Sequence, residues 1–275
     1  EIKKESAYEK LLRGKNCESV RSKFISLHRV DGKLYFEFPL VYFGKEMLLS
    51  SAPSEVSNNF WCNIGLKEIE HIKFTQEDTI VSLRSVNSAT TYNEAELSIG
   101  KAIRQNTLDP ILETYKILAF NPDSTAVVFD VTALFTKDHD LLPLFPRSMG
   151  MYGIIARPGK AATFLKEIKS FDDNLTIKSS MSYNMSLSFL LFTLARENVT
   201  VTATRSILLL PEEKMRPRVS DSRVGIFLTN KEYISTEEDQ IQNYSLAHRW
   251  RIEPKDAEAY KRGELVEPVK PIVFY

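Results

Sequence analysis

The chain has 275 residues, enough for one large domain or two modest ones with a sizeable core. Its 43% hydrophobic and 26% charged residues are ordinary for a globular protein. The 36 basic residues equal the 36 acidic ones, which argues against a nucleic-acid-binding surface, and no run of eighteen apolar residues is present to span a membrane.

The clearest local signal is a predicted hairpin near the start of the chain. Two strand-like runs, 24–30 and 33–38, flank Asp31-Gly32, a pair that accepts the positive φ angles of a tight turn. Region 88–105 fits either a helix or a strand. Two further hairpins and two short helices are expected in the first half: strands at 69–74 and 79–86, strands at 111–120 and 125–131, and helices at 6–13 and 132–135.

The second half begins with a stretch rich in Pro, Gly and Met, 141–160, which is the best candidate for an internal boundary. Residues 161–170 have a helical pattern, with apolar side chains on one side and Lys and Glu on the other. Residues 185–194 are nearly all apolar, which predicts a central strand covered on both faces. Glu197-Asn198 is the expected turn after that strand.

Together these patterns predict a sheet-rich α+β fold of mostly antiparallel strands and hairpins, with a few short helices and two packed lobes. The predicted organisation is a lead-in segment at 1–22, an N-terminal β-rich lobe at 23–140, a second β-rich lobe with an Arg-rich loop at 141–254, and a linker and first strand toward a further domain at 255–275.

The most unusual stretch is 211–227, PEEKMRPRVSDSRVGIF, between two apolar runs. Within it, three arginines are expected to surround Asp221, and a carboxylate among guanidiniums can form bidentate, geometrically specific pairs. A solvated turn with weak ion pairs is the alternative that composition alone favours.

A second candidate feature is Trp250, between Arg249 and Arg251. The indole could stack on the guanidiniums, or strand alternation could bury the indole while both arginines reach water, and the second arrangement is favoured. The candidate interdomain cluster comprises Arg216, Arg218, Asp221, Arg223, Arg249 and Trp250.

The residues offer no catalytic, cofactor or metal site. The four histidines, His28, His71, His139 and His248, are dispersed and lack zinc-ligand spacing, and no His-Glu-x-x-His string occurs. Two cysteines, Cys17 and Cys62, either pair or remain thiols.

A family resemblance rests on several short strings: Tyr8 to Leu12, Gly32 to Glu37, Val128 to Thr132, Met215 to Arg218, Asp221, Arg223 to Phe227, Arg249 to Pro254 and Pro271 to Tyr275. These strings resemble a family of large bacterial zinc-dependent metalloproteases, in which a sheet-rich N-terminal region of unknown function precedes a metzincin-like catalytic domain. The resemblance is most specific in 215–253. Ile226 departs from the pattern, since tyrosine is expected there.

The resemblance implies that this chain is a noncatalytic scaffold or docking region of an exported bacterial peptidase. It implies zinc in the following catalytic domain and none in this chain, which alone is predicted to be inactive. The implied partners are that catalytic domain of the same polypeptide and a peptide substrate, and the implied location is extracytoplasmic. The Arg-rich cluster is then expected near Tyr275.

Two alternatives stay open. A prodomain-like inhibitor would insert Asp221 into the zinc site of the following domain. An independent peptide- or carbohydrate-binding β-module would use loop aromatics such as Trp61, Tyr92 and Tyr152, or take an extended peptide by strand addition to a sheet edge.

Overall fold

A computed structural model describes residues 5–14, 16–65, 68–93, 95–138, 142–190, 192–237 and 240–273. The helices are α1 Ala7–Leu12, α2 Leu97–Asn106, α3 Thr132–Thr136 and α4 Ala257–Lys261, with a 3₁₀ turn at Leu40–Tyr42. The first ten strands are β1 Cys17–Val20, β2 Ser26–Val30, β3 Lys33–Pro39, β4 Glu46–Val56, β5 Glu68–Glu77, β6 Ile80–Ser85, β7 Thr90–Tyr92, β8 Ile111–Lys116, β9 Ala119–Phe120 and β10 Ala126–Asp130. The others are β11 Ser148–Met149, β12 Tyr152–Pro158, β13 Phe164–Ser170, β14 Asn174–Phe189, β15 Phe192–Leu209, β16 Leu228–Ile234 and β17 Gln242–Ala247.

Strands dominate and almost all of them pair antiparallel, so the predicted sheet-rich α+β fold is confirmed. The chain forms two compact units that alternate along the sequence. Unit 1 contains Glu1–Val86 and Asp109–Leu210, and unit 2 contains Asn87–Leu108 and Pro211–Tyr275. The lobe boundary predicted at 141–160 stays a prediction.

Unit 1 contains two antiparallel sheets. Sheet A has the order β1-β2-β3-β10-β9. Sheet B has nine strands, with the order β11-β12-β14-β15-β4-β5-β6-β8 and β13 added alongside β14. The predicted β2–β3 hairpin is confirmed, with φ of 49° at Asp31 and 83° at Gly32 as its turn requires.

The main core of unit 1 consists of apolar side chains from both sheets. Sheet A contributes Phe36, Phe38 and Phe129, and sheet B contributes Phe74 and Tyr115, among others. A second core cluster covers the far half of the long strands β14 and β15 and includes Trp61, Phe145, Tyr183 and Val201. Both clusters lie on one face of β14 and β15, because the odd-numbered residues of each strand are the buried ones.

The helix predicted at 161–170 is wrong, because Phe164–Ser170 forms β13 and pairs with β14. Glu167 forms ion pairs with Lys169 and with Lys178 of the neighbouring strand. Lys and Glu suit an exposed strand face as well as a helix. Pairing with the neighbouring strand β14 therefore overrides the local helical pattern.

The strand and turn predicted at 185–198 are also wrong in register. The β14–β15 hairpin turns around Leu190, which has φ of 51°, and Glu197 pairs with Met185 inside the ladder. Residues at the tip are exposed rather than covered on both faces: Leu190 is 81% and Phe192 is 70% accessible.

The short helices predicted at 6–13 and 132–135 are confirmed. Ser6 caps α1 and exchanges hydrogen bonds with Glu9, a reciprocal capping box, and α3 occupies the second predicted position. The ambiguous region 88–105 contains both β7 and all of α2 except its last residue. The hairpin predicted from 111–131 is partly correct, since β9 pairs with β10 but β8 pairs with β6.

Unit 2 is built on a smaller sheet of order β17-β16-β7. β16 and β17 form an antiparallel hairpin, and β7 joins β16 in parallel, with Thr90 opposite Glu232. Thr91 reinforces this pairing because its hydroxyl donates to the Glu232 carbonyl (2.9 Å). None of the helices described here is long and apolar enough to cross a bilayer.

Candidate functional site

The Arg-rich stretch of unit 2 lies along the free edge of β17. Val219 forms a bridge with Leu246, the Ser220 amide donates to the Ser245 carbonyl (2.8 Å), and the Ala247 amide donates to the Arg218 carbonyl (2.9 Å). Residues 218–220 therefore extend the sheet by a short fourth strand.

Two arginine side chains continue this pairing where the backbone ladder stops. The Arg249 guanidinium donates from Nη2 to the Arg216 carbonyl (2.6 Å), and Arg251 donates from Nη1 to the Glu213 carbonyl (2.6 Å). Arg251 also pairs with the Glu253 carboxylate at 2.6 Å. Both arginines thus fasten 213–216 to the end of β17, rather than simply extending into water as predicted.

Asp221 and Arg223 form the bidentate pair expected from the sequence. The Arg223 guanidinium donates from Nε to Oδ1 (2.8 Å) and from Nη2 to Oδ2 (2.5 Å), and the Arg223 amide also donates to Oδ1 (2.9 Å). These donors lower the pKa of Asp221 to about 2. Arg216 and Arg218 are exposed, and across the described residues their guanidiniums make no hydrogen bond or ion pair, so one arginine of the three engages Asp221.

The indole of Trp250 is 69% accessible, so the prediction that it is buried is wrong. Phe227, whose carbonyl accepts from the His248 amide (2.9 Å), is 84% accessible. Other large apolar side chains of this segment are exposed as well: Val219, Val224, Ile226, Leu228 and Ile252. Tyr275, near which the cluster was expected, lies outside the described residues.

A polar network that the sequence did not reveal lies on sheet A. His28, fully buried on β2, contacts the Ser19 hydroxyl through Nδ1 (2.7 Å) and Glu37 through Nε2 (2.8 Å), and the Tyr8 hydroxyl donates to the same Glu37 oxygen (2.7 Å). The hydrogen bond from His28, followed by the one from Tyr8, lowers the pKa of Glu37. Burial is the main cause that raises the pKa of Tyr8 to about 12, and the hydrogen bond to Glu37 is the second.

The network has the connectivity of a hydroxyl, imidazole and carboxylate relay. In a neutral imidazole whose Nε2–H donates to the Glu37 carboxylate, Nδ1 accepts a hydrogen bond from the Ser19 hydroxyl. Tyr8 of α1 packs edge-on against the imidazole, with ring centroids 6.4 Å apart, and its hydroxyl also donates a hydrogen bond to the Glu37 carboxylate. We assign the network the structural role of satisfying a buried histidine.

Replacing Glu37 with glutamine should make the free energy of unfolding less dependent on pH in the acid range. Because the pKa of Glu37 in the fold lies below its ordinary 4.5, its carboxylate stabilises the fold fully above that pH, and the stabilisation is lost as the pH falls through the lowered pKa. Urea unfolding should show that the free energy of unfolding falls less between pH 7 and pH 3 in Glu37→Gln than in the native chain. Glu258→Gln, which removes an exposed carboxylate, is the control and should keep the native dependence of the free energy of unfolding on pH. The same dependence in Glu37→Gln would contradict the assignment.

Among the described residues, the other histidines and both cysteines have separate surroundings. His71 approaches Glu46 at 3.3 Å, His248 contacts the Thr229 hydroxyl at 2.6 Å, and His139 lies outside the described residues. Cys17 is an exposed thiol and Cys62 a buried one. Within the described ranges, no group of three His, Cys, Asp or Glu side chains could hold a metal ion.

The three loop aromatics of the β-module alternative lie in different surroundings. Trp61 is buried and donates from Nε1 to Glu197 (2.7 Å). Tyr152 packs against Phe189 with ring centroids 5.7 Å apart. Tyr92, in unit 2, accepts a hydrogen bond from Arg104 at 3.1 Å.

Comparison with known proteins identifies a family. A family model described as Domain of unknown function (DUF5117) matches residues 66–255, more than half of the chain. The chain belongs to this family. No curated protein and no solved structure matches. The DUF5117 match contains the whole Arg-rich cluster, whereas the His28 network and Trp61 precede it.

Proposed function

We propose that this DUF5117 chain is a noncatalytic docking platform for the catalytic domain of an exported bacterial zinc-dependent peptidase. The resemblance of its sequence strings to that metalloprotease family supports the proposal. The zinc and the peptide-cleaving groups would belong to the catalytic domain.

The observation that carries the proposal is the exposed apolar surface of the Arg-rich segment. Phe227, Trp250 and Ile252 are 84%, 69% and 55% accessible, although they lie beside a backbone that hydrogen bonds hold in place. Large exposed apolar side chains grouped among arginines are typical of protein interfaces, in which aromatic and arginine residues are enriched. The exposed guanidiniums of Arg216 and Arg218 would add charge complementarity to an acidic partner surface.

The inhibitory alternative is less well supported. Asp221 would have to release a bidentate guanidinium and a backbone amide before it could bind zinc. The carboxylate therefore fits better as the fixed point of a docking loop than as a mobile metal ligand.

The proposal predicts binding between this chain and the peptidase domain encoded in the same reading frame. Isothermal titration calorimetry should detect a complex, and Phe227→Asp or Trp250→Asp should weaken it at least tenfold, because each places a charge in an apolar contact. Phe164→Asp, at a 62% accessible position of β13 in unit 1, is the matched control and should bind normally.

Two results would contradict the docking role. One is a reading frame that encodes no zinc peptidase domain. The other is equal affinity for all three variants while circular dichroism shows each of them folded.

A further inference from the structure

An apolar pocket opens at the β11 edge of sheet B, where the second core cluster reaches the surface. It has a volume of about 320 Å³ and is lined by Phe60, Trp61, Leu144, Phe145 and Met149 among others. This is at the lower end of the range for small-ligand pockets, which begins at about 300 Å³. The space suits one or two large apolar side chains.

The pocket is preformed by groups that other contacts fix. The indole of Trp61 donates to Glu197 at 2.7 Å, and the Phe60 ring packs edge-on against it with centroids 5.2 Å apart. Pro143 and Pro146 stiffen the opposite wall. Phe60 is nevertheless 48% and Met149 38% accessible, so the mouth exposes apolar surface that a ligand would bury.

Among the described residues, the outer backbone edge of β11 has no partner strand, and Met149 of this strand lines the pocket. β11 is the outermost strand of sheet B, and it pairs only with β12 among the described strands. The Ile154 amide donates to the Arg147 carbonyl (2.9 Å), so the backbone groups of Arg147 and Met149 face β12. By alternation, the N–H and C=O of Ser148 face away from the sheet, and Ser148 is exposed.

We propose that this edge binds an extended peptide, which pairs with Ser148 and inserts a large apolar side chain into the Phe60–Met149 pocket. Backbone pairing at an open edge, with a side-chain pocket next to it, is how sheets recognise extended peptides. Asn63 and Glu68 also line the pocket, and their side-chain oxygens are acceptors of the kind that peptide N–H groups need. The site lies in unit 1 and is independent of the docking surface in unit 2, so the failure of either proposal leaves the other standing.

The two tryptophans make the test direct, because Trp61 lines the pocket and Trp250 lies in unit 2. A Trp250→Phe chain leaves Trp61 as the only indole. Titration with a capped Ala-Ala-Phe-Ala-Ala peptide should produce a saturable change in Trp61 emission. Phe60→Ala and Met149→Asp should each weaken binding at least tenfold, and Phe164→Ala should bind as the parent does.

Peptide variants separate the two halves of the proposal. Replacing the central phenylalanine with alanine should abolish the response, and N-methylation of the neighbouring amides should weaken it about tenfold. No emission change at millimolar peptide, or an equal response to the alanine peptide, would overturn the site. Equal affinity for the N-methylated peptide, or for N-acetylphenylalanine amide alone, would overturn the strand pairing.

Discussion

Replacing Phe129 with alanine should lower the free energy of unfolding of unit 1 by about 3–5 kcal/mol, the usual range for removing a buried aromatic ring. Phe129 is fully buried on β10 at the centre of an aromatic cluster. Its ring stacks on Tyr115 with centroids 5.4 Å apart and contacts Phe36 and Phe38 at 6.0 Å. These partners come from both sheets of unit 1, so the resulting cavity would remove contacts between sheet A and sheet B.

Urea unfolding followed by Trp61 fluorescence in the Trp250→Phe chain measures this effect within unit 1. Phe120→Ala, on the neighbouring strand β9 and 49% accessible, is the matched control and should change stability by about 0.5 kcal/mol or less. A loss of stability for Phe129→Ala no larger than that for Phe120→Ala would mean that the aromatic cluster does not stabilise unit 1.

Replacing Arg205 with alanine should destabilise unit 1 by about 2–5 kcal/mol, because it empties a buried site of a long side chain and leaves two carbonyls without their donor. Arg205 is 1% accessible on β15, and it lies between Ala203 of the second core cluster and Ile207 of the main one. Its guanidinium donates to the Leu134 carbonyl (2.5 Å) and the Lys137 carbonyl (2.8 Å) at the end of α3, and to the Ser51 hydroxyl (3.3 Å). Burial lowers its pKa, yet these acceptors require the charged fork.

Three variants of β15 separate charge from volume at this position. Arg205→Lys should lose almost as much stability as Arg205→Ala, because one ammonium cannot reach all three acceptors. Arg205→Met should lose less, since it fills the space and removes the buried charge. Arg196→Ala, exposed on the same strand, should be near neutral. Stability unchanged in Arg205→Ala would show that the network contributes nothing to unit 1.

Local chemistry explains which parts of the fold could be predicted. The Asp31-Gly32 hairpin and the capped helix α1 depend on residues within a few positions of each other, and both were predicted correctly. The mixture of apolar, Lys and Glu residues in β13 fits a helix as well as a strand, and the β14–β15 tip at Leu190 has no glycine, asparagine or proline to mark a turn. Apolar residues there indicated burial, yet they are exposed.

The candidate sites follow the same division. Asp221 and Arg223 are two residues apart, so their pairing could be predicted from spacing. Arg249 and Arg251 bind carbonyls 33 and 38 residues away, which no local pattern indicates. Arg205 continues the buried alternation of Val201 and Ala203, so strand parity could have placed it inside, but its acceptors at the end of α3 depend on the tertiary fold.

The interleaving of the two units constrains the order in which the chain can mature on the ribosome. β7 emerges early but pairs with β16, which is translated more than a hundred residues later. At typical synthesis rates of about 5–20 residues per second, that delay is on the order of ten seconds. During that time β7 has no partner strand while the remaining strands of unit 1 are synthesised, so unit 2 is the part of the nascent chain that stays exposed longest to proteases and chaperones.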